Sequence, residues 1–399
     1  MAQNKSSEPT PTASILARRE YSGPAFLSGA FRPFFLGASV WAVVAIAYWL
    51  AQYNGWLAVP EALTGRDWHI HEMIFGFVAA ALGGFILTAV PNWTGRLPVR
   101  GWPLGGLALL WLLGRFAMLS GHPVLMLVDT LFLFVLAAVV AREIIGGRNK
   151  RNLVVVGMII LIALANLWTH LERLEIVAQD GYGWRFGLAV LSSLLGLIGG
   201  RVTPSFTRNL LARQNATKMP AQPGGKIDNI VMLFSALALL VWVFLPEHPA
   251  TGVLLLLAGL GHGVRLSRWQ GLQVAGQSII VVLHIAYAWL AFGFGLLGLS
   301  ILWDGLLAAD AVHGLGIGAV GIMIAAMMSR ASFGHSGLPM RAGWALSLVY
   351  LLIIVAVLLR LAASFWDAQT MINLSGLAWI SGFALFVAVF MPLYFKKRR

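Results

Sequence analysis

The sequence predicts an all-α fold, a polytopic membrane helical bundle with about twelve transmembrane helices, rather than a soluble globular enzyme. Two features of the composition carry this prediction. Apolar residues make up 59% of the 399 residues. Charged residues make up only 11%, against about 25% in an ordinary soluble domain. A soluble protein of this length needs more surface charge, whereas hydrocarbon accepts apolar side chains and rejects charged ones.

The apolar residues fall into runs of the length that a membrane span requires, roughly 20 residues. Twelve runs follow one another, at 31–52, 70–91, 102–120, 123–142, 152–171, 184–203, 228–246, 249–264, 274–300, 305–328, 342–364 and 371–395. The run at 249–264 is short for a span. Residues 1–24 are expected to form a disordered cytoplasmic tail without a cleavable signal peptide, and residues 25–399 a single transmembrane domain. A polar connection at about 204–227 divides the spans six and six.

The basic residues test this span count independently, because cytoplasmic loops carry an excess of Lys and Arg. With the N-terminus in the cytoplasm, 23 of the 28 basic residues fall on cytoplasmic segments and three on outer segments, while Arg115 and Arg360 fall within spans. One wrong internal span would destroy this asymmetry, since every later loop would change sides. We therefore place both termini in the cytoplasm. The net charge of +13 then reflects topology and does not indicate a nucleic-acid partner.

The chain also contains a possible internal repeat. The second span contains His71 and Gly76, and the tenth contains His313 and Gly318 at the same spacing. The two histidines are 242 positions apart, and so are the two glycines. An arrangement of three four-span units would accommodate this spacing. Chance similarity between two glycine-rich spans is the alternative.

Ionisable side chains inside a membrane are costly and usually serve a function. His284 and His313 lie on the ninth and tenth spans, which a short outer turn should make antiparallel neighbours. Counting 1.5 Å per residue from the span ends, we predict both imidazoles near the middle of the bilayer, with His71 on a third span. The chain has no cysteine, and neutral imidazoles suit haem iron or copper. The alternative is that these histidines only make hydrogen bonds within the bundle.

A second group of candidates opens the second span near the outer face, where His69, His71 and Glu72 occur together. Residues two apart on a regular helix do not share a face, so His69 and His71 are not expected to bind one ion together. Glu72 could hold a metal-ligating histidine through a hydrogen bond, or carry protons inward from the outer face. Helix capping by Asp67, with Glu72 favoured by the helix dipole, is the alternative for the acidic residues.

Three further residues are candidates for a redox site. Tyr287 follows His284 by about one helical turn and could donate a proton beside a metal. Arg201 could pair with a haem propionate, and Trp93 could stack nearby. The alternatives are an interior tyrosine with a satisfied hydroxyl and an arginine that sets the topology.

An ordered set of segments resembles the NnrS family. These segments are Phe31-Arg32-Pro33-Phe34-Phe35, Trp68-His69-Ile70-His71-Glu72-Met73, Thr88-Ala89-Val90-Pro91-Asn92-Trp93, Gly199-Gly200-Arg201-Val202-Thr203-Pro204, Leu283-His284-Ile285-Ala286-Tyr287, and Ser332-Phe333-Gly334-His335-Ser336-Gly337. The resemblance spans nearly the whole chain, and Ser336 stands where the family pattern has threonine. It implies a multi-pass protein of the bacterial cytoplasmic (inner) membrane that binds b-type haem and copper and responds to nitric oxide. The family's recurring histidines fall on His69, His71, His284, His313 and His335, which become the candidate metal ligands.

A fainter likeness connects the chain to haem–copper oxidases, which also have twelve spans, histidines on the second and tenth, and a pseudo-threefold plan. The sequence departs from that pattern, because its sixth span has no histidine and its seventh has no adjoining histidine pair. A copper site like that of the oxidases is therefore not expected.

These observations lead to hypotheses from different functional classes. In the first, the protein is an oxidoreductase that binds nitric oxide at haem iron and reduces it with electrons from quinol. His71, His284 and His313 then bind metal, Glu72 moves protons and Tyr287 stands near the reacting atoms. In the second, a transporter or a metal- or haem-handling protein uses the same intramembrane histidines. A nitric oxide sensor without turnover is a third interpretation.

Overall fold

The structure is a computed structural model that describes residues 21–58 and 65–397, and every regular element in these two ranges is a helix. The predicted all-α bundle with twelve spans is confirmed. The spans are α1 (Phe31–Tyr53), α2 (Gly65–Thr94), α3 (Trp102–Ser120), α4 (Val124–Gly146), α5 (Lys150–Arg173), α6 (Tyr182–Arg213), α7 (Lys226–Phe244), α8 (Pro249–Ser267), α9 (Ser278–Leu302), α10 (Ala308–Ser336), α11 (Trp344–Ala362) and α12 (Ala368–Phe395). Most of the predicted tail, residues 1–20, lies outside the described residues.

The shortest predicted run forms a complete helix in α8. Pro249 occupies its first turn, where a missing N–H costs nothing, and the His248 side chain accepts a hydrogen bond from the Ala250 amide at 3.2 Å. Glycines then bring α8 and α9 into backbone contact. A methyl group at Gly259 would lie 2.7 Å from the Ala291 carbonyl oxygen. Small residues allow such close approach between membrane helices, and this contact holds α8 in the bundle.

The central connection is shorter than expected, because α6 continues past residue 204 to Arg213. Pro204 lies within the helix, and membrane helices tolerate proline when nearby side chains and neighbouring helices satisfy the backbone groups that it leaves free. Thr207 supports this turn by donating its hydroxyl to the Thr203 carbonyl at 2.9 Å. The non-helical connection between α6 and α7 therefore covers only residues 214–225.

Three helices lie at the centre of the bundle. In the hydrophobic 18-residue stretches of α2, α6 and α10, 72%, 67% and 67% of the residues are buried inside the bundle. The corresponding share in the other nine spans is 33–56%. Both α2 and α10 contain a π-helical segment, Glu72–Phe77 and Gly314–Gly321. Each segment begins directly after one of the repeated histidines, His71 or His313. The internal repeat stays a prediction, and this coincidence is consistent with it.

The alternating direction of the spans defines two ends of the bundle. Even-numbered helices begin at one end, and odd-numbered helices finish there. We call this end outer and the opposite one inner, following the distribution of basic residues. The orientation of the termini in the membrane stays a prediction.

A candidate metal centre at the outer end of the bundle

Three potential metal ligands from three helices meet in the outer half of the bundle. His71 lies near the start of α2, Asp129 near the start of α4 and His170 near the end of α5. All three side chains are buried, and one ligand atom from each lies within 4.8 Å of the others. Asp129 Oδ2 is 3.2 Å from His71 Nε2 and 3.7 Å from His170 Nε2. This group could hold a metal ion.

The His71 ring is surrounded by acceptor oxygens. Glu72 Oε1 lies 2.9 Å from Nδ1, while Asn166 Oδ1 at 2.9 Å and Asp129 Oδ2 at 3.2 Å both face Nε2. The Asn166 amide is oriented by its Nδ2, which donates to Asp129 Oδ2 at 2.7 Å. A neutral imidazole has one N–H and one lone pair, so one ring nitrogen would face oxygen without a hydrogen between them. A cation beside Nε2, either a proton or a metal ion, removes that repulsion.

The second histidine of the group has an unused nitrogen. His170 Nε2 is buried and has no hydrogen-bond partner, and its ring lies 4.9 Å from the His71 ring between centroids. A buried polar atom without a partner is unusual and costs free energy. Two imidazoles and one carboxylate form a donor set that binds transition metals such as iron or copper and leaves coordination positions open.

Arg115 joins the two carboxylates of this site. Its guanidinium contacts both Glu72 and Asp129 and lies over the Trp41 ring at 5.9 Å. With neutral histidines, the two carboxylates and the Arg115 guanidinium sum to −1 in a fully buried place, and the half-buried Arg173 adds a positive charge outside this contact. Because uncompensated buried charge is strongly unfavourable, a metal cation would improve the charge balance. We call His71, Glu72, Arg115, Asp129, Asn166 and His170 the His71 cluster.

Two glycines make room for these side chains. A methyl group at Gly76 would lie 2.7 Å from Glu72 Oε2, and one at Gly114 would lie 2.8 Å from Asp129 Oδ1. Both distances are shorter than van der Waals contact, so a side chain at either position would displace a carboxylate. The glycines in α2 and α3 thus have a local reason beyond general helix packing.

The expectation that His69 and His71 face different surroundings is confirmed. The His69 ring packs on Trp49 with a centroid distance of 4.4 Å, and the His313 ring lies 6.1 Å away with an angle of 20° between the planes. His313 Nδ1 lies 2.7 Å from the Ala309 carbonyl, to which it donates. His69 Nδ1 is buried without a hydrogen-bond partner. These two histidines therefore form a second pair at the outer end, separate from the His71 cluster.

The predicted pairing of His284 with His313 is wrong. A methyl group on Gly293 of α9 would lie 2.9 Å from the Gly314 backbone, so these residues have the same depth. His284 precedes Gly293 by nine residues, which places it about 13 Å further toward the inner end. Its Nε2 lies 2.8 Å from the Thr207 hydroxyl. The predicted depths of both histidines were counted from apolar runs that start at residues 274 and 305. The helices begin later, α9 at Ser278 and α10 at Ala308, so both counts started too early.

Tyr287 also lies in the inner half, with polar partners of its own. Its hydroxyl is 2.8 Å from His262 Nδ1 and accepts a hydrogen bond from Arg265. Arg265 in turn donates to Asp228 Oδ1 at 3.0 Å. Tyr287 therefore does not belong to the His71 cluster, and its expected place near the reacting atoms stays a prediction.

The remaining candidates lie at the inner end as well. Arg201 is exposed. Trp93 is in the last turn of α2, where its carbonyl accepts a hydrogen bond from Asn149 Nδ2 at 2.6 Å. The His335 ring, near the end of α10, lies 5.7 Å from the Phe31 ring. None of the three is near the His71 cluster.

Sequence reasoning did not select Asp129, Asn166, His170 or Arg115 as site residues. A usable indication existed, because Asp129 and Arg115 are charged residues inside apolar runs, where charge is expensive and usually functional. His170 and Asn166 are four residues apart on α5 and therefore share one face of the helix. Their connection to His71 depends on how α2, α4 and α5 pack.

Comparison with known proteins identifies the family of the chain. The family described as NnrS protein matches residues 25–398, nearly the whole chain. No curated protein matches it. The extent of the family match shows that the chain belongs to the NnrS family, which fits a multi-pass membrane protein related to nitric oxide.

Proposed function

We propose that this protein is an oxidoreductase of the bacterial inner membrane that binds nitric oxide and reduces it at a metal ion held by His71, Asp129 and His170. The observation that carries the proposal is the excess of acceptor oxygens around His71, which calls for a cation at Nε2. The orphaned Nε2 of His170 supports the same position. Membership in the NnrS family supports nitric oxide as the substrate.

The reaction balances with two electrons and two protons. Two nitric oxide molecules form one N–N bond, one oxygen leaves as water, and nitrous oxide is the other product. A bound copper or iron ion would supply one-electron redox chemistry and an open position for nitric oxide. Quinol is the proposed donor, since it carries two electrons and two protons and is soluble in the bilayer.

The residues of the cluster have separate roles in this proposal. Glu72 accepts the Nδ1 hydrogen of His71, which leaves Nε2 free as a metal ligand. Asn166 orients the Asp129 carboxylate toward the same position. Glu72 also moves protons from the outer end, because it lies beside the site and Arg115 stabilises its carboxylate between transfers.

The haem that family membership suggests would be held by His69 and His313. Donation from His313 Nδ1 to Ala309 leaves Nε2 as an available lone pair, and His69 Nδ1 has no hydrogen-bond partner. Held by both histidines, this haem would carry electrons and would keep no position open for nitric oxide. His69 and His71 are separated by only about 3 Å of helix rise, so electrons would have a short path to the His71 cluster.

The test combines metal content with nitric oxide consumption in the purified full-length protein. We expect one tightly bound copper or iron ion in addition to any haem. His170→Ala and Asp129→Asn should lose this ion and the quinol-dependent consumption of nitric oxide. His122→Ala is the matched control, because His122 is an exposed histidine at the same end of the bundle.

Unchanged metal content in both cluster variants would refute the proposed site. Weak, exchangeable metal without nitric oxide consumption would instead favour a metal-handling protein. Metal that binds nitric oxide without turnover would favour a sensor.

A further inference from the structure

An apolar cavity of about 100 Å³ lies between the three central helices. Its walls come from α2, α6 and α10 and include Val78, Ala81, Leu194, Ile198, Met323 and Met327. Every lining residue is apolar. The cavity therefore has no group that could hold water or orient a polar ligand by hydrogen bonding.

The size and lining of the cavity suit a small uncharged molecule. An apolar cavity of about 150 Å³ in another protein stays dry and binds benzene or xenon. A diatomic gas is smaller than either and requires no hydrogen bond. Nitric oxide is uncharged and nearly apolar, so it enters the hydrocarbon core of a bilayer, and a cavity among membrane helices can take it up from there.

One aromatic side chain, Phe75, packs against the His71 cluster close to the residues that line the cavity. The Phe75 ring lies 5.3 Å from the His71 ring. Its far edge packs on α6, where a methyl group at Gly187 would be 2.8 Å from Phe75 Cζ. Leu191, one turn further along α6, lines the cavity, as does Val78, three residues after Phe75. Phe75 thus packs against the His71 ring, and it lies about one helical turn from cavity-lining residues of both α2 and α6.

The backbone at this position is also unusual, because Phe75 belongs to the π-helical segment Glu72–Phe77. Such segments are rare and frequently occur at functional sites. Here His71 lies directly before the segment and Glu72 begins it, while Val78, which follows the segment, lines the cavity. Phe75 is 1% exposed, so its ring is closely packed in this conformation.

We propose that the cavity holds nitric oxide within the bilayer and that displacement of the Phe75 ring admits it to the His71 cluster. This inference rests on the proposed function, because it takes nitric oxide as the substrate. It adds a binding site for the gas and a residue that controls access. The metal site would then receive its apolar substrate from the centre of the bundle and its protons from the outer end.

Xenon tests the cavity without reference to activity. We expect crystals of the full-length protein under xenon pressure to show a xenon atom between α2, α6 and α10. Ala81→Leu should fill the space and remove the xenon. The matched control is Ala236→Leu, since Ala236 is exposed on α7 and faces away from the cavity.

Kinetics test the route. In Ala81→Leu, with its metal content unchanged, we expect kcat/KM for nitric oxide to fall by about tenfold while kcat stays at the wild-type value, as for a step that precedes chemistry. Phe75→Leu keeps an apolar side chain but removes the ring, so it should raise kcat/KM by easing the passage of nitric oxide from the cavity to the His71 cluster. Phe75→Trp should lower it.

The possible failures are distinguishable. Absence of xenon from the wild-type cavity would overturn the gas site, whatever the protein does with nitric oxide. Xenon binding combined with wild-type kcat/KM in Ala81→Leu and both Phe75 variants would overturn the route. The proposed function would survive either result, because metal content and turnover of the wild-type protein decide it.

Discussion

Replacing Arg115 by methionine tests the charge balance of the His71 cluster. Arg115 is 1% exposed and contacts Glu72 and Asp129, which are also fully buried. The substitution roughly preserves the apolar stem and removes the guanidinium that contacts both carboxylates. Breaking a buried ion pair by removing one partner costs about 3–5 kcal/mol. We expect Arg115→Met to lower the free energy of unfolding by an amount in that range.

Reversible unfolding in mixed detergent micelles is the assay, with Glu72→Gln as the second arm of a double-mutant cycle. Once Glu72 is neutral, the methionine leaves only one unpaired carboxylate, so the double variant should be more stable than the sum of the single effects predicts. A coupling energy in the range of ~0.5–3 kcal/mol is expected for contacting residues. Arg66→Met is the control, because the Arg66 side chain is 80% exposed and surface ion pairs contribute little.

Metal loading gives the same experiment a second readout. A metal cation at His71, Asp129 and His170 would replace part of the charge that Arg115 supplies, so added copper or iron should restore part of the lost stability. A loss below about 1 kcal/mol in Arg115→Met, or a coupling with Glu72→Gln near zero, would refute the reasoning, since buried pairs normally exceed both limits.

Two further predictions concern a glycine and a helix cap. Gly76→Ala should displace Glu72 from Arg115 and lower the melting temperature, because the new methyl group would lie 2.7 Å from Glu72 Oε2. A methyl group at Gly295 would meet open space, so Gly295→Ala should instead stabilise α9 by roughly 0.5–1 kcal/mol. Equal changes in melting temperature for the two variants would contradict this account. Asp367 caps α12, and hydrogen bonds from the Thr370 side chain and amide lower the pKa of its carboxyl group. Its contribution is therefore fully present above the ordinary pKa of an aspartate, about 3.9, and is lost as the pH falls through the lowered pKa. Asp367→Asn should remove that part of the acid dependence of the melting temperature, and an unchanged profile would exclude the cap.

The fold was predictable because membrane spans depend on local composition. Each predicted apolar run became a membrane-spanning helix, and the distribution of basic residues supported the same count without any tertiary information. The end of α6 was harder to predict. A proline normally ends a soluble helix, and Pro204 suggested such an end, but helix neighbours in a membrane satisfy the free backbone groups.

The site was only half predictable, because it depends on contacts between helices. His71 and Glu72 are adjacent in sequence, and their hydrogen bond follows from that proximity. Asp129 and His170 come from α4 and α5, and no periodicity along the chain states which faces of these helices meet α2. The mispairing of His284 with His313 has the same origin, since an error of a few residues at each helix end, at 1.5 Å per residue, accumulates to most of a helix turn or more.

The two π-helical segments explain how one bundle places a polar cluster against an apolar cavity. A π-helical turn holds more residues than an α-helical turn, so side chains after it point in directions that a continuous α-helix would not allow. In α2 the segment Glu72–Phe77 lies between His71 and the cavity-lining half of the helix, and in α10 the segment Gly314–Gly321 follows His313 and includes the cavity-lining Val320. Both helices therefore present a histidine toward the outer end and an apolar wall toward the centre. In our proposal this division lets protons and nitric oxide, which need opposite surroundings, reach one metal site by separate paths.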